Sequence, residues 1–251
     1  MRMATPIETS RPLSVIGDNA IDAAIHGYYW RLKSDRTIDW AIANGFEGEY
    51  WYSPNYIRDY VNMALSTYAE FANVRFNYVG YYQTPSGAYY SGSEITVSLS
   101  GNRTFFPLNG ILARGFFPNS NENYNWYPGA PGDLYLNINS EANYLPTYAP
   151  GSAGYFLILH ELGHTLGLKH PHDDGGTGHP TLNSIGLGYL DLDVYTVMSY
   201  KDNYSYNFRQ WDPATPMVLD VIAMQYLYGK NNTKNIGNTN YALYISNMYR
   251  T

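Results

Sequence analysis

The stretch from residue 160 to residue 170 reads HELGHTLGLKH, and nothing else in the chain restricts its folding as tightly. His160 and His164 are four apart, so on a helix both imidazoles leave one face, one turn above the other, and can grip a single metal ion. Glu161 follows the first histidine directly. Its carboxylate then stands beside the ion as a general base without being a necessary ligand. Gly167 ends the helical pattern, because a residue without Cβ can take the left-handed conformation that turns the chain back. His170 can then return as a third ligand. Three neutral imidazoles and one open position suit a catalytic zinc, whereas a closed structural site would add a fourth protein ligand, commonly cysteine. The chain has no cysteine.

This extended motif predicts a methionine turn further along, and residues 195 to 200 read YTVMSY, with Met198 and Tyr200 at the expected spacing. With both motifs in view the chain resembles the metzincin metallopeptidases. Pro171 after the third histidine, the turn sequence TVMSY and the later segment LDVIAMQYLYG resemble the serralysin family of secreted bacterial proteases. The resemblance implies an α+β, zincin-like catalytic domain. Its parts would be a twisted five-stranded mixed sheet, an active-site helix beneath it, and a smaller C-terminal subdomain with the methionine turn and a last helix. It further implies zinc on His160, His164 and His170, with Tyr200 as a ligand in the resting enzyme that moves to stabilise the transition state. Met198 would be an apolar floor. Export through a far C-terminal signal, and so an extracellular place of action, is implied as well.

The order of elements read from the chain agrees with that layout. Asp18 is a candidate N-cap for a short helix ending before Gly27, and His26 at its end reads as a surface or capping histidine. Ile38, Trp40 and Ile42 alternate as in a half-buried strand. Ser53 and Pro54 open a long helix carrying the core stripe Ile57, Val61, Leu65, Tyr68 and Phe71. Strands are expected from Val74, Glu94, Ile111 and Asp133. Segments 83 to 93 and 118 to 132 are loop-like. Both carry residues a calcium ion would take, and simple solvation is the preferred reading. Ser152 caps the zinc helix, with Phe156, Leu159, Leu162 and Leu166 on its buried faces. In residues 171 to 194, His172, His179, Asp173, Asp174, Asp191 and Asp193 read as incidental polar groups on a flexible lower rim of the cleft, in preference to a second metal site. Thr215 and Pro216 start a last helix that stops at Gly229.

Composition narrows the partners. A net charge of −6 with no clustered basic face argues against nucleic acid. No stretch approaches the roughly 20 apolar residues of a membrane span, and residues 1 to 17 lack the apolar core of a secretory signal. With 45% hydrophobic and 14% charged residues the bulk is expected to fold, and 28 tyrosines with 23 glycines suggest a β-rich framework. The domain reading is a tail or short propeptide over 1–17, a zinc protease domain over 18–230, and a tail over 231–251. That last segment resembles the opening of a serralysin β-roll domain, but the glycine-rich nonapeptide repeats that bind calcium there are missing.

The expected function is a monomeric, zinc-dependent endopeptidase acting on proteins and peptides, with Glu161 as base. An extended substrate would pair with the edge strand around Ile111 to Phe117. The competing class is a latent or non-catalytic zinc-binding module for adhesion or recognition, which needs a blocked cleft. A zinc aminopeptidase is disfavoured by the nearby His170, since such enzymes usually take a distant glutamate as third ligand.

Overall fold

The structure is a computed structural model that describes residues 5–6, 17–103, 106, 110–119, 127, 129–140, 148–202 and 212–234. Its strands are β1 (Thr5–Pro6), β2 (Trp30–Arg31), β3 (Thr37–Ala43), β4 (Arg75–Tyr82), β5 (Ile95–Ser100), β6 (Ala113–Gly115) and β7 (Leu134–Asn137). Its helices are α1 (Asn19–Asp22), α2 (Pro54–Phe71), α3 (Pro85–Tyr90), α4 (Ala153–Thr165) and α5 (Val218–Tyr228). Five strands form one mixed sheet in the order β4-β3-β5-β7-β6, with all neighbours parallel except β6, which runs antiparallel to β7. This is the α+β arrangement the resemblance implies.

Alternation along β3 sets the layers. Ile38, Trp40 and Ile42 enter the main core with Ile57, Val61, Leu65 and Tyr68 of α2 and Leu159 and Leu162 of α4. Ala41 and Ala43 face the other way, onto Ala88 of α3. The strand is therefore buried on both faces from Trp40 onward rather than half-buried. Its small residues let a short helix lie close, and that helix falls in segment 83–93, which reads as a loop by composition. Thr84 starts it by accepting a hydrogen bond from the Gly87 N–H, with Pro85 in the first turn. At α2 the proline is the start signal that operates, because the Ser53 side chain makes no capping hydrogen bond. The stripe on α2 is buried at Ile57, Val61, Leu65 and Tyr68 and only partly at Phe71.

α1 is shorter than its sequence suggests. The Asp18 carboxylate caps it by accepting from Ile21 N–H, and it stops at Asp22, with Ala23 and Ile25 N–H still donating back to Asn19 O and Ile21 O. Ile25 bridges Leu168 in antiparallel fashion, His26 N–H donates to Gly167 O at 2.9 Å, and Lys169 N–H donates to Ala24 O at 3.0 Å. The N-terminal segment thus lies along the exit of the zinc-motif helix. α5 starts at Val218, two residues after Pro216, and ends at Gly229 with φ of 81°. Most of segments 1–17, 118–132 and 231–251 lies outside the described residues, as does the expected tail structure.

Candidate metal centre and its cleft

Helix α4 is capped as the sequence predicts, the Ser152 hydroxyl accepting from Tyr155 N–H at 3.2 Å. Ile158, Leu159, Leu162 and Leu166 are fully buried, so apolar packing fixes the rotation of the helix. Gly167 leaves it at φ of 99°, and a Cβ there would lie 2.5 Å from Tyr28 O. Only glycine meets both demands. The chain then turns back and brings His170 over the helix.

His170 Nε2 lies 3.2 Å from His160 Nε2 and 3.0 Å from His164 Nε2. These contacts are not hydrogen bonds, because each ring has its proton elsewhere. His160 Nδ1 donates to Val197 O at 2.8 Å, His164 Nδ1 to Leu168 O at 2.9 Å, and His170 Nδ1 to Asp173 Oδ2 at 2.6 Å. All three Nε2 atoms are then unprotonated and face one point, His170 Nε2 accepting from the Tyr200 hydroxyl at 2.7 Å, and a cation between them would take up all three lone pairs. Nitrogens at 2.0–2.1 Å from a tetrahedral zinc are about 3.3 Å apart, so the donor set and its spacing fit zinc. Burial pushes His160 down to about 3, and His164 well below its ordinary value, with neighbouring imidazoles acting in the same direction. Both are neutral, as ligands must be.

The other motif residues arrive at the same place. Tyr200 Oη lies 2.7 Å from His170 Nε2, on a side chain largely exposed to the cleft. Met198 is buried under the helix, where a Cβ on Gly163 would be 2.5 Å from its Sδ. Glu161 is buried, and its Oε2 accepts from Gly115 N–H of β6 at 2.5 Å. Burial raises its carboxyl to about 7, against the opposing pull of that N–H and of Arg114. A cleft of about 500 Å³ opens over these groups, lined by Ala113 to Gly115 on one side and Asp173 to Gly176 on the other.

The loop after His170 is not a rim of incidental charges. Asp173 orients His170, Asp191 accepts from Ser199 Oγ at 2.8 Å and Lys201 Nζ at 2.5 Å, and His179 is buried with Nδ1 3.2 Å from Asp22 O. His172 stacks on His170 with centroids 5.0 Å apart. His170, His172 and Asp173 form a second group of ligand type, but His170 Nδ1 is already committed to Asp173, so this group is not independent of the first. Nor is His26 a surface histidine: it is 3% exposed.

Three positioning groups escape a reading by motif. Fully buried Lys169 directs its three N–H donors at four carbonyls within reach of Nζ, those of Ala23, His170, Asp173 and Pro180, at 2.7–3.2 Å, which ties the returning loop to the N-terminal segment. Burial lowers its ammonium to about 8. Gly115 supplies the N–H to Glu161. Asp220 of α5 accepts from Thr196 Oγ1 at 2.6 Å, Val197 N–H at 2.8 Å and Met217 N–H at 2.7 Å. It thereby holds Val197, whose carbonyl in the next peptide unit fixes His160. Replacing Asp220 with alanine leaves the Val197 and Met217 N–H groups without their acceptor, and urea unfolding should show a loss of about 2 kcal/mol. A variant as stable as wild type would mean that this carboxylate does not hold the turn.

No protein-family model matches the chain. Curated relatives do. A serralysin of Proteus mirabilis is 29% identical over 195 residues, covering 73% of this chain and 36% of the relative. Serralysin G of Dickeya chrysanthemi is 31% identical over 189 residues, 72% of this chain and 35% of the relative. The metalloprotease AprA of Pseudomonas entomophila is 36% identical over 122 residues, 45% of this chain and 25% of the relative. The matched stretches thus span about a third or less of those proteins' own lengths.

Proposed function

Since the chain belongs to the serralysin-like metzincins, we propose that it is the catalytic domain of a zinc-dependent endopeptidase that hydrolyses internal peptide bonds of proteins. The observation that carries this reading is the convergence of three unprotonated Nε2 atoms beside a buried carboxylate in an open cleft. When bound, zinc would supply a water with its pKa lowered towards about 7 and a positive charge to polarise the scissile carbonyl.

The chain's own residues supply the rest. Glu161 takes the proton of the attacking water and returns it to the leaving amine. A carboxyl raised towards neutrality suits both transfers. The Gly115 N–H occupies one of its oxygens and aims the other. Tyr200 offers its O–H to the carbonyl oxygen as charge develops there. The substrate lies along β6. Leu112 O and Phe116 N–H bond to Asn137 and Asp133 along β7, so by alternation the backbone groups of Ala113 and the carbonyl of Gly115 face away from it, towards the cleft, while the Gly115 N–H on that side is taken by Glu161. A peptide pairing there is gripped by its main chain, which gives broad sequence tolerance.

The test is digestion of a denatured protein by the zinc-loaded chain. Cleavage is expected, with loss on chelation and recovery on adding one equivalent of zinc. Tyr200→Phe should keep zinc and lower kcat by about 100-fold. If the wild type binds zinc and cuts nothing, the recognition-module reading replaces this one. Secretion belongs to the same proposal, and finding the native protein only in cell lysate would refute that part. Among the described residues no helix is long and apolar enough to cross a membrane.

A further inference from the structure

One buried imidazole outside the motif touches both walls of the cleft. His26 is stacked face to face on Phe117, with ring centroids 3.5 Å apart and planes 2° apart. Phe117 follows the edge strand, lines the cleft, and meets His164 edge-on at 5.1 Å. On the other side His26 Nε2 lies 3.1 Å from Gly175 O. A carbonyl only accepts, so the proton is on Nε2 and Nδ1 is a bare acceptor. That Nδ1 is buried and has no hydrogen-bond partner among the described residues. A phenylalanine would fill the slot without an orphaned nitrogen but would lose the Nε2–H bond to Gly175 O, which is the difference between the two rings at this position.

The bond leads to the third ligand. Gly175 N–H donates to Asp173 Oδ1 at 2.9 Å, and Asp173 Oδ2 accepts from His170 Nδ1. Gly175 sits at φ of 63°, and a Cβ on it would approach His26 Cδ2 to 2.8 Å, so ring and loop are in direct contact. His26 itself is anchored by its backbone, whose N–H donates to Gly167 O at the helix exit.

We propose that His26 is a positioning residue that couples the substrate strand to the third metal ligand: its ring backs Phe117, and its Nε2–H holds the Gly175 loop that keeps Asp173 on His170. This rests on the peptidase reading for its substrate arm and on the metal site alone for its ligand arm. The two arms separate by substitution. His26→Phe keeps a flat ring for Phe117 and removes the donor; its zinc Kd, measured against a chromogenic chelator, should rise about 10-fold, the lower end of the effect of losing an outer-sphere partner, with KM little changed. His26→Gln places an amide N–H near the Nε2 position and removes the ring. Its zinc Kd should stay within about 2-fold of wild type, while KM rises about 2- to 10-fold, the worth of an aromatic pair.

Wild-type values in both variants would overturn the inference. So would parallel losses of zinc, KM and stability in both, which mark plain packing. Should the variants not fold, the wild type decides: long-range ¹H–¹⁵N correlation must show His26 as the Nε2–H tautomer, and an Nδ1–H tautomer overturns the proposal. If zinc affinities follow the prediction and no variant, nor wild type, cuts peptide, the ligand arm holds and the peptidase reading falls.

Discussion

Replacement of Glu161 by glutamine is expected to leave zinc bound one to one and to lower kcat/KM for protein hydrolysis by about 1,000-fold, equivalent to about 4 kcal/mol of transition-state stabilisation. Glutamine has the same shape, and its amide oxygen can still accept from Gly115 N–H. The three Nε2 atoms lie on other residues, so the metal site has no reason to change. What disappears is the ability to take a proton and give it back. A buried carboxylate in an apolar setting is also a cost to folding, so the variant should unfold at an equal or higher temperature than wild type. Zinc content, thermal unfolding and hydrolysis are to be measured on one preparation. Activity near wild type in a zinc-loaded Glu161→Gln sample would mean that the proton is handled elsewhere.

The second large effect is expected from one added methyl group. A Cβ on Gly115 would lie 2.2 Å from Glu161 O and 3.0 Å from both Glu161 C and His164 Cβ. Two of those atoms are helix backbone, which cannot rotate out of the way. Gly115→Ala must therefore push β6 off α4 by something on the order of an ångström. Overpacking of this kind costs about 3 kcal/mol, readable in urea unfolding. The same shift withdraws the N–H from Glu161 and moves the strand proposed to hold the substrate. A misplacement of that size costs about 100-fold in rate. Zinc affinity should fall far less, because the ligands ride on α4 and the loop after it. Gly48 is a useful control: its φ is 92°, but no atom of the described residues lies within 4 Å of a Cβ there, so Gly48→Ala should cost only about 1 kcal/mol and spare hydrolysis. Equal effects at the two positions would show that the strand–helix contact is not what Gly115 serves.

Much of this centre is legible from residue order because its spacing is local. Helical geometry alone puts His160 and His164 on one face, and a left-handed turn at Gly167 is what returns His170. The methionine turn lies at a recognisable distance, and start signals at Asp18, Pro54 and Ser152 are each used. Thr84 and Pro85 signal a helix just as clearly, yet the Gly and Ser content of that segment obscures it until Ala41 and Ala43 are seen to need a cover. The chain order alone does not state which oxygen takes each Nδ1 proton. Those partners are the Val197 carbonyl, the Leu168 carbonyl and the Asp173 carboxylate. Two of the further supports come from farther off, with Gly115 46 residues before Glu161 and Asp220 23 residues after Val197. His26 joins them only because its segment pairs with residues 167–169. The sequence alone determined which atoms can bind a metal, since helix periodicity and side-chain chemistry are local properties. The tertiary structure decided which ring nitrogens are unprotonated and where the carboxylate is aimed, because hydrogen bonds between distant segments exist only once the sheet, α4 and the returning loop are packed together.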